Sequence, residues 1–158
     1  MTKILPGGPQ PSLRGRAVKL LSRRDHSRAE LSEKLAPLGS SDEINAVLDQ
    51  LEQSGLLSDA RAATAYVRGH AARFGAAKLR HSLHARGISA ELIQSTLAQP
   101  ELSGELQRAR ELWQRKFGKQ PVPDARDAKD WARQARFLQS RGFSVEIIRK
   151  LLTARDDE

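Results

Sequence analysis

We predict an all-α fold for this chain, with nine helices in three tandem three-helix repeats that form an elongated, curved array. Apolar residues recur at helical spacing in nearly every segment after residue 11, and no segment alternates apolar and polar residues as a strand does. Serine and aspartate residues suited to helix N-caps precede these segments. An internal repeat then groups the helices into similar units, which is typical of solenoid-like arrays.

Capping residues define the start of each predicted helix, and glycines mark the ends. Ser27–Glu30 and Ser40–Glu43 match the Ser-x-x-Glu capping box, in which each side chain satisfies a free backbone amide of the other. Further residues placed as N-caps are Ser58, Ser89, Asp127 and Ser144. Glycines placed as C-terminal caps are Gly39, Gly55, Gly87, Gly118 and Gly142. The predicted helices cover 13–23, 28–36, 42–54, 59–73, 76–86, 90–98, 103–117, 128–140 and 145–155.

The repeat consists of two leucines and a glycine, each four residues apart. Its copies are Leu31, Leu35 and Gly39; Leu79, Leu83 and Gly87; and Gln134, Leu138 and Gly142, in which the first position is polar. Five residues after each glycine comes an apolar residue preceded by glutamate: Ile44, Leu92 and Ile147. We therefore predict a flexible tail over 1–11 and repeats over 12–57, 58–100 and 101–158, the last with a proline-containing loop at 118–127.

The apolar positions of this pattern predict the core. They are Leu31, Leu35, Ile44, Leu48, Leu79, Leu83, Leu92, Leu97, Leu138, Ile147 and Leu151. In the third repeat we expect aromatic packing from Trp113, Phe117, Trp131, Phe137 and Phe143.

Composition narrows the class of protein. The 158 residues include 27 Lys and Arg against 19 Asp and Glu, a net charge of +8, and no cysteine. The lack of cysteine excludes disulfide scaffolds, thiolate zinc sites and cysteine nucleophiles. No apolar run approaches the roughly 18 residues of a membrane span. The N-terminal apolar patch is too short for a signal peptide, so we expect a cytoplasmic protein without membrane association.

Nothing in the sequence indicates catalysis. His81 and His84 lie one helical turn apart, but no metal-binding motif surrounds them. There is no nucleophile elbow, phosphate-binding loop or dinucleotide fingerprint. We expect a protein that is not an enzyme and has neither a metal nor a cofactor.

The basic residues point to an acidic or polyanionic partner. Residues 59–100 carry six basic and only two acidic side chains. This excess of positive charge favours a surface that binds an anionic target over an ordinary solvated surface. The alternative is a DNA-binding protein, because the short helices of 29–57 resemble a helix-turn-helix. A winged helix would continue into a β-hairpin, whereas this chain continues as helix.

Four runs of sequence together resemble the RecX family of bacterial regulators. They are SRRDHSRAELSEKL (22–35), GLLSDARAATAYVR (55–68), FGAAKLRHSLHARGIS (74–89) and FLQSRGFSVEIIRKLL (137–152). The resemblance implies three three-helix repeats and no catalytic residues. It also implies binding in the groove of the RecA–DNA filament, with inhibition of ATP hydrolysis, strand exchange and coprotease activity that modulates recombination and the SOS response.

The same resemblance implies which residues bind the partner. The family's basic positions fall, with one tyrosine, on Arg23, Arg24, Arg28, Tyr66, Arg68, Arg73, Lys78, Arg80 and Arg141. We expect a monomer whose partner is the RecA filament, with direct DNA contact in addition. The alternative function is that of a basic helical DNA-binding protein of the helix-turn-helix or architectural type.

Overall fold

The computed structural model describes residues 12–99, 104–118 and 127–153, and these contain nine α-helices and no strand. This confirms the predicted all-α fold. The helices are α1 (Leu13–Arg23), α2 (Arg28–Leu35), α3 (Ser41–Gln53), α4 (Asp59–His70), α5 (Ala76–Ala85), α6 (Ala90–Leu97), α7 (Glu105–Phe117), α8 (Ala128–Ser140) and α9 (Val145–Thr153). One 3₁₀ turn, Ala36–Leu38, follows α2. The predicted tail and nearly all of the predicted loop lie outside the described residues.

The chain divides into two compact units, 1–62 and 63–158. The first unit holds one core, formed by α1, α2, α3 and the residues after them: Ala17, Leu31, Leu35, Ile44, Leu48, Leu51 and Leu57. The second unit holds two cores. That of the middle repeat consists of Ala63, Val67, Ala71, Leu79, Leu83, Ile88 and Ile93. That of the third repeat consists of Ala109, Leu112, Trp113, Phe117, Leu138, Phe143, Ile148, Leu151 and Leu152. Each three-helix repeat thus buries its own apolar faces.

The predicted N-cap residues are confirmed. Ser27 and Ser40 both form complete capping boxes, with their side chains accepting from the backbone amides of Glu30 and Glu43. Ser58 and Ser144 accept from amides three residues later at 3.2 Å, as do Ser89 and Asp127 at 3.2 and 3.1 Å. These bonds satisfy amides that have no partner inside the helix.

All five predicted glycines lie at the end of a helix or of the 3₁₀ turn, but only three of them adopt the left-handed conformation. Gly55, Gly87 and Gly142 have φ of +80°, +74° and +90°, the left-handed conformation that glycine adopts most easily. Gly39 is extended, because α2 passes into a 3₁₀ turn before the chain leaves it, and Gly118 has a right-handed φ of −60°. At Gly39 a Cβ would lie 2.8 Å from the Leu13 side chain, so close packing explains the glycine there.

Two further expectations need correction. Helix α4 ends at His70 rather than at residue 73, because the chain turns there with the Arg73 amide donating to the His70 carbonyl. Near the start of α6 and α9 the buried residues are Ile93 and Ile148, while the predicted core residues Leu92 and Ile147 are half-buried. One extra residue between the glycine and the helix in these two repeats shifts the core position by one.

The second and third repeats meet through backbone contacts at two glycines. The Gly75 amide donates to the Arg141 carbonyl at 2.7 Å, and the Ala77 amide donates to the Gly142 carbonyl at 3.2 Å. A Cβ at Gly75 would lie 2.5 Å from the Gly142 carbonyl oxygen, so glycine is what permits the approach. The contact places the turn before α5 directly beside the turn after α8.

The polar residue of the third repeat motif has a structural role. Gln134 is fully buried, and its Oε1 accepts a hydrogen bond of 2.6 Å from Nε1 of buried Trp113. A leucine at this position, as in the other two repeats, would leave the indole N–H without its acceptor.

We expect Gln134→Leu to lower the free energy of unfolding by about 1–3 kcal/mol, because the buried indole N–H would lose its acceptor. Urea unfolding followed by tryptophan fluorescence measures this, since Trp113 and Trp131 are the only tryptophans. Exposed Gln139 on the same helix provides the control, and Gln139→Leu should change stability by less than about 0.5 kcal/mol. Equal losses in the two variants would contradict the assigned role.

Candidate binding surface

Two of the predicted contact residues in the first unit are held by acidic side chains. Arg24 donates to Glu30 at 2.8 Å. Arg28 lies 2.8 Å from Asp49 and 3.0 Å from Glu52, so it joins α2 to α3. The hydrogen bond accepted by Glu52 is the main cause that raises the pKa of Arg28 above its ordinary value. Both arginines therefore form ion pairs within the first repeat.

The third predicted arginine, Arg23, lines a groove between α1 and the end of α2. We call this the first-repeat groove. It has a volume of about 290 Å³ and is lined by Arg16, Lys19, Leu20, Arg23, Lys34, Leu35 and Leu38. Leu38 is 44% exposed, which leaves an apolar surface open between the cations.

Buried His26 positions one cation of this groove. Its Nδ1 lies 3.0 Å from the Arg24 carbonyl oxygen, and its Nε2 lies 3.2 Å from Nζ of Lys34. Because a carbonyl only accepts and an ammonium only donates, the ring is neutral with its proton on Nδ1. Burial is the main cause that lowers the pKa of His26, and the charges of Arg24 and Lys34 lower it further.

We expect the stability of the first unit to fall as the pH drops below about 6.5, the ordinary pKa of histidine. The unfolded chain takes up a proton on His26 there, while the folded chain takes it up only at lower pH. Urea unfolding followed by circular dichroism, between about pH 7.5 and 5.5, measures the slope. His26→Gln should reduce that slope, and an identical slope in the variant would contradict this role of the histidine.

In the second unit, the structure brings together two predicted residues that are far apart in sequence. Arg73 and Arg141 line one groove where α7, the end of α8 and the turn before α5 meet, and we call it the third-repeat groove. Its volume is about 460 Å³, and its lining consists of Ala72, Arg73, Leu112, Arg115, Lys116, Phe137 and Arg141. The contact between Gly75 and Gly142 is what makes Arg73 part of it.

The cations of the third-repeat groove rest on aromatic rings and backbone. Lys116 and Arg141 lie over the ring of Phe137, at 5.7 and 5.2 Å from its centroid. Arg115 donates to the carbonyl of Ala72. The four cations of this groove are Arg73, Arg115, Lys116 and Arg141. Within the described part of the chain, none of them forms an ion pair with a carboxylate. The groove therefore presents positive charge around an apolar floor.

The other predicted residues lie outside this groove. Lys78 packs beside Gly142, and its Nζ lies over the ring of Phe74 at 4.4 Å from the ring centroid. Arg68 is exposed on α4. The ring of Tyr66 is covered by Arg86 at 4.1 Å and stacked on His70 at 4.0 Å.

Arg80 lines a third, more apolar groove between α5 and α6, of about 820 Å³, together with His81 and His84. Among the described residues there is no group of three or more side chains able to hold a metal ion. In the same part of the chain no helix has the length and apolarity of a membrane span.

The sequence-based prediction missed two cations of the third-repeat groove, Arg115 and Lys116. Arg115 and Lys116 come three and four residues after Leu112, which is about one helical turn, so all three lie on the same face of α7. In α1, Lys19 and Leu20 follow Arg16 at the same spacing. This repeated spacing is the signal that could have found both grooves.

The fold and its grooves define an all-α protein of three-helix repeats with cationic, apolar-floored surface grooves. Models of the first, second and third three-helix domains of RecX match residues 14–51, 58–97 and 104–152. The chain belongs to the RecX family of regulatory proteins.

Individual relatives agree with this assignment. The chain is 50% identical to the regulatory protein RecX of Leptothrix cholodnii over 151 residues, covering 95% of this chain and 93% of that protein. It is 40% identical to regulatory protein RecX of Chromobacterium violaceum, covering 93% of each. The crystal structure of RecX from Lactobacillus salivarius shares the fold, with a TM-score of 0.75 at 21% identity, covering 91% of this chain and 94% of that one.

Proposed function

We propose that this protein binds the groove of the RecA–DNA filament and inhibits RecA's ATP hydrolysis, strand exchange and coprotease activity. In this way it modulates recombination and the SOS response. The observation that carries the proposal is the third-repeat groove, with four cations and no ion-paired carboxylate among the described residues. A filament of DNA and protein offers the anionic surface that such a groove requires.

The binding surface in this proposal comprises six of the predicted cations, and the other three predicted residues support the fold. Contact is assigned to Arg23, Arg68, Arg73, Lys78, Arg80 and Arg141. Arg24 and Arg28 act by fixing α2 through their ion pairs, and Tyr66 acts by supporting Arg86. The protein works as a monomer in the cytoplasm, without catalysis or a cofactor.

Fluorescence anisotropy of the labelled chain tests the proposal, with RecA on single-stranded DNA, RecA alone and the DNA alone as three titrants. We expect the assembled filament to bind at least about tenfold more tightly than either component. The affinity should fall with added salt, because part of the attraction is electrostatic. Equal affinity for filament and bare DNA would replace the proposal with a basic DNA-binding protein.

A further inference from the structure

The first-repeat and third-repeat grooves occupy the same place in their repeats. Each lies between the last two turns of the first helix and the end of the second. Their helical linings share one spacing, Arg16, Lys19 and Leu20 in α1 and Leu112, Arg115 and Lys116 in α7. On the opposite wall, Leu38 and Arg141 each directly precede the glycine of the repeat motif.

The middle repeat closes this position with its own side chains. Arg86, which precedes Gly87, lies over the ring of Tyr66 on α4 at 4.1 Å from the centroid. Its guanidinium also donates to the Ser82 carbonyl at 3.3 Å. A cation on an aromatic ring thus occupies the corresponding position of the middle repeat.

The two open grooves share a chemistry that nucleic acid does not match well. Each has four cations, and within the described residues no carboxylate pairs with them. Each also has an apolar floor, made by Leu20, Leu35 and Leu38 in one groove, and by Leu112 and Phe137 in the other. A phosphodiester backbone would engage the cations but leave the floor uncovered, at a cost in unburied apolar area.

We infer that both grooves bind short acidic peptide segments that carry an apolar anchor residue, whose carboxylates meet the rim cations while the anchor packs on the floor. The cavity volumes of about 290 and 460 Å³ suit one or two side chains of an extended segment rather than a whole helix. Because both grooves combine cations with an apolar floor, one chain binds two such segments. The inference rests on the proposed function only for the source of the segments, which is a protein of the filament.

Binding of a synthetic peptide to the full chain tests this without RecA. The probe is fluorescein-labelled Asp-Asp-Glu-Leu-Phe-Asp-Glu, compared with the same peptide carrying Ser-Ser in place of Leu-Phe and with oligo-dT of about 12 nucleotides. We expect two peptides per chain, about tenfold weaker binding of the Ser-Ser peptide, and no displacement of the peptide by equimolar oligo-dT.

Charge-reversal variants identify the groove in which each peptide binds. Lys116→Glu with Arg141→Glu should abolish one of the two sites, and Lys129→Glu with Arg136→Glu, the same charge change elsewhere on α8, should abolish neither. In the chain with only the first-repeat groove intact, Leu38→Arg should weaken the peptide about tenfold although it adds a positive charge, because it removes apolar floor.

Several results would overturn the inference. They are tighter binding after Leu38→Arg, equal binding of the Ser-Ser peptide, displacement by oligo-dT, or no peptide binding up to about 1 mM. The outcome is separable from the proposed function. If the protein binds the peptide but does not bind the RecA filament, only the proposed function is refuted. If the protein inhibits the RecA filament but does not bind the peptide, only the groove inference is refuted.

Discussion

Gly142→Ala is expected to lower the free energy of unfolding of the second unit by about 2–5 kcal/mol. Gly142 has φ of +90°, and an L-residue in this left-handed conformation destabilises the fold by about 1–2 kcal/mol. In addition, the new Cβ would lie 2.4 Å from Cβ and 2.6 Å from the amide nitrogen of Lys78. Relieving that overlap requires the two repeats to move apart, and forced overpacking of this kind costs about 1–3 kcal/mol. Urea unfolding followed by tryptophan fluorescence measures the loss.

Two other glycines serve as matched controls for this variant. Gly55 has nearly the same φ but no atom within 4 Å of its ideal Cβ, so Gly55→Ala should cost only about 1 kcal/mol, measured by circular dichroism. Gly69 lies inside α4 with open space around it, so Gly69→Ala should stabilise the second unit by up to about 1 kcal/mol. A loss at Gly142 no larger than that at Gly55 would contradict the tight contact between the repeats.

On the proposed function, Arg73→Glu combined with Arg141→Glu should raise the concentration needed for half-inhibition of RecA about 100-fold. These side chains come from different repeats, and the third-repeat groove depends on both. Truncating or reversing one partner of a close charge pair at an interface costs about 1.5 kcal/mol or more, so two reversals exceed about 3 kcal/mol, which corresponds to roughly 100-fold. Neither side chain is buried in a core, so the helical circular dichroism should be unchanged.

The control for this variant removes the same four units of charge from another face. Lys129 and Arg136 are exposed on α8 and do not line the groove. Lys129→Glu with Arg136→Glu should shift half-inhibition by less than about threefold through the long-range field alone. Equal losses in both double variants would mean that net charge, and not the third-repeat groove, determines binding.

Local rules predicted the fold well because most of its information is local. Ser27, Ser40 and Ser89 satisfy amides within three residues of themselves, and the leucine spacing of α2 and α5 directly gives the buried face. Gly39 ends its helical segment without adopting the left-handed conformation, and this has a physical reason. A glycine after a helix predicts a left-handed cap, but a 3₁₀ turn or close packing against Leu13 also selects glycine.

The candidate site was less predictable because it depends on contacts between repeats. Arg73 joins Arg141 only through the approach of Gly75 to Gly142, which no sequence spacing reveals. The ion pairs of Arg28 with Asp49 and Glu52 likewise join two helices across the first repeat. In the same way, the polar Gln134 in a leucine motif is explained only by the indole of Trp113.

RecA's DNA-dependent ATP hydrolysis, titrated with this protein at fixed moderate salt, tests the proposed function most directly. A parallel titration measures binding of the protein to the same DNA without RecA. We expect inhibition at well below one copy per RecA protomer together with weak binding to bare DNA. Undiminished ATP hydrolysis together with tight binding to bare DNA would contradict a filament regulator and leave a basic DNA-binding protein.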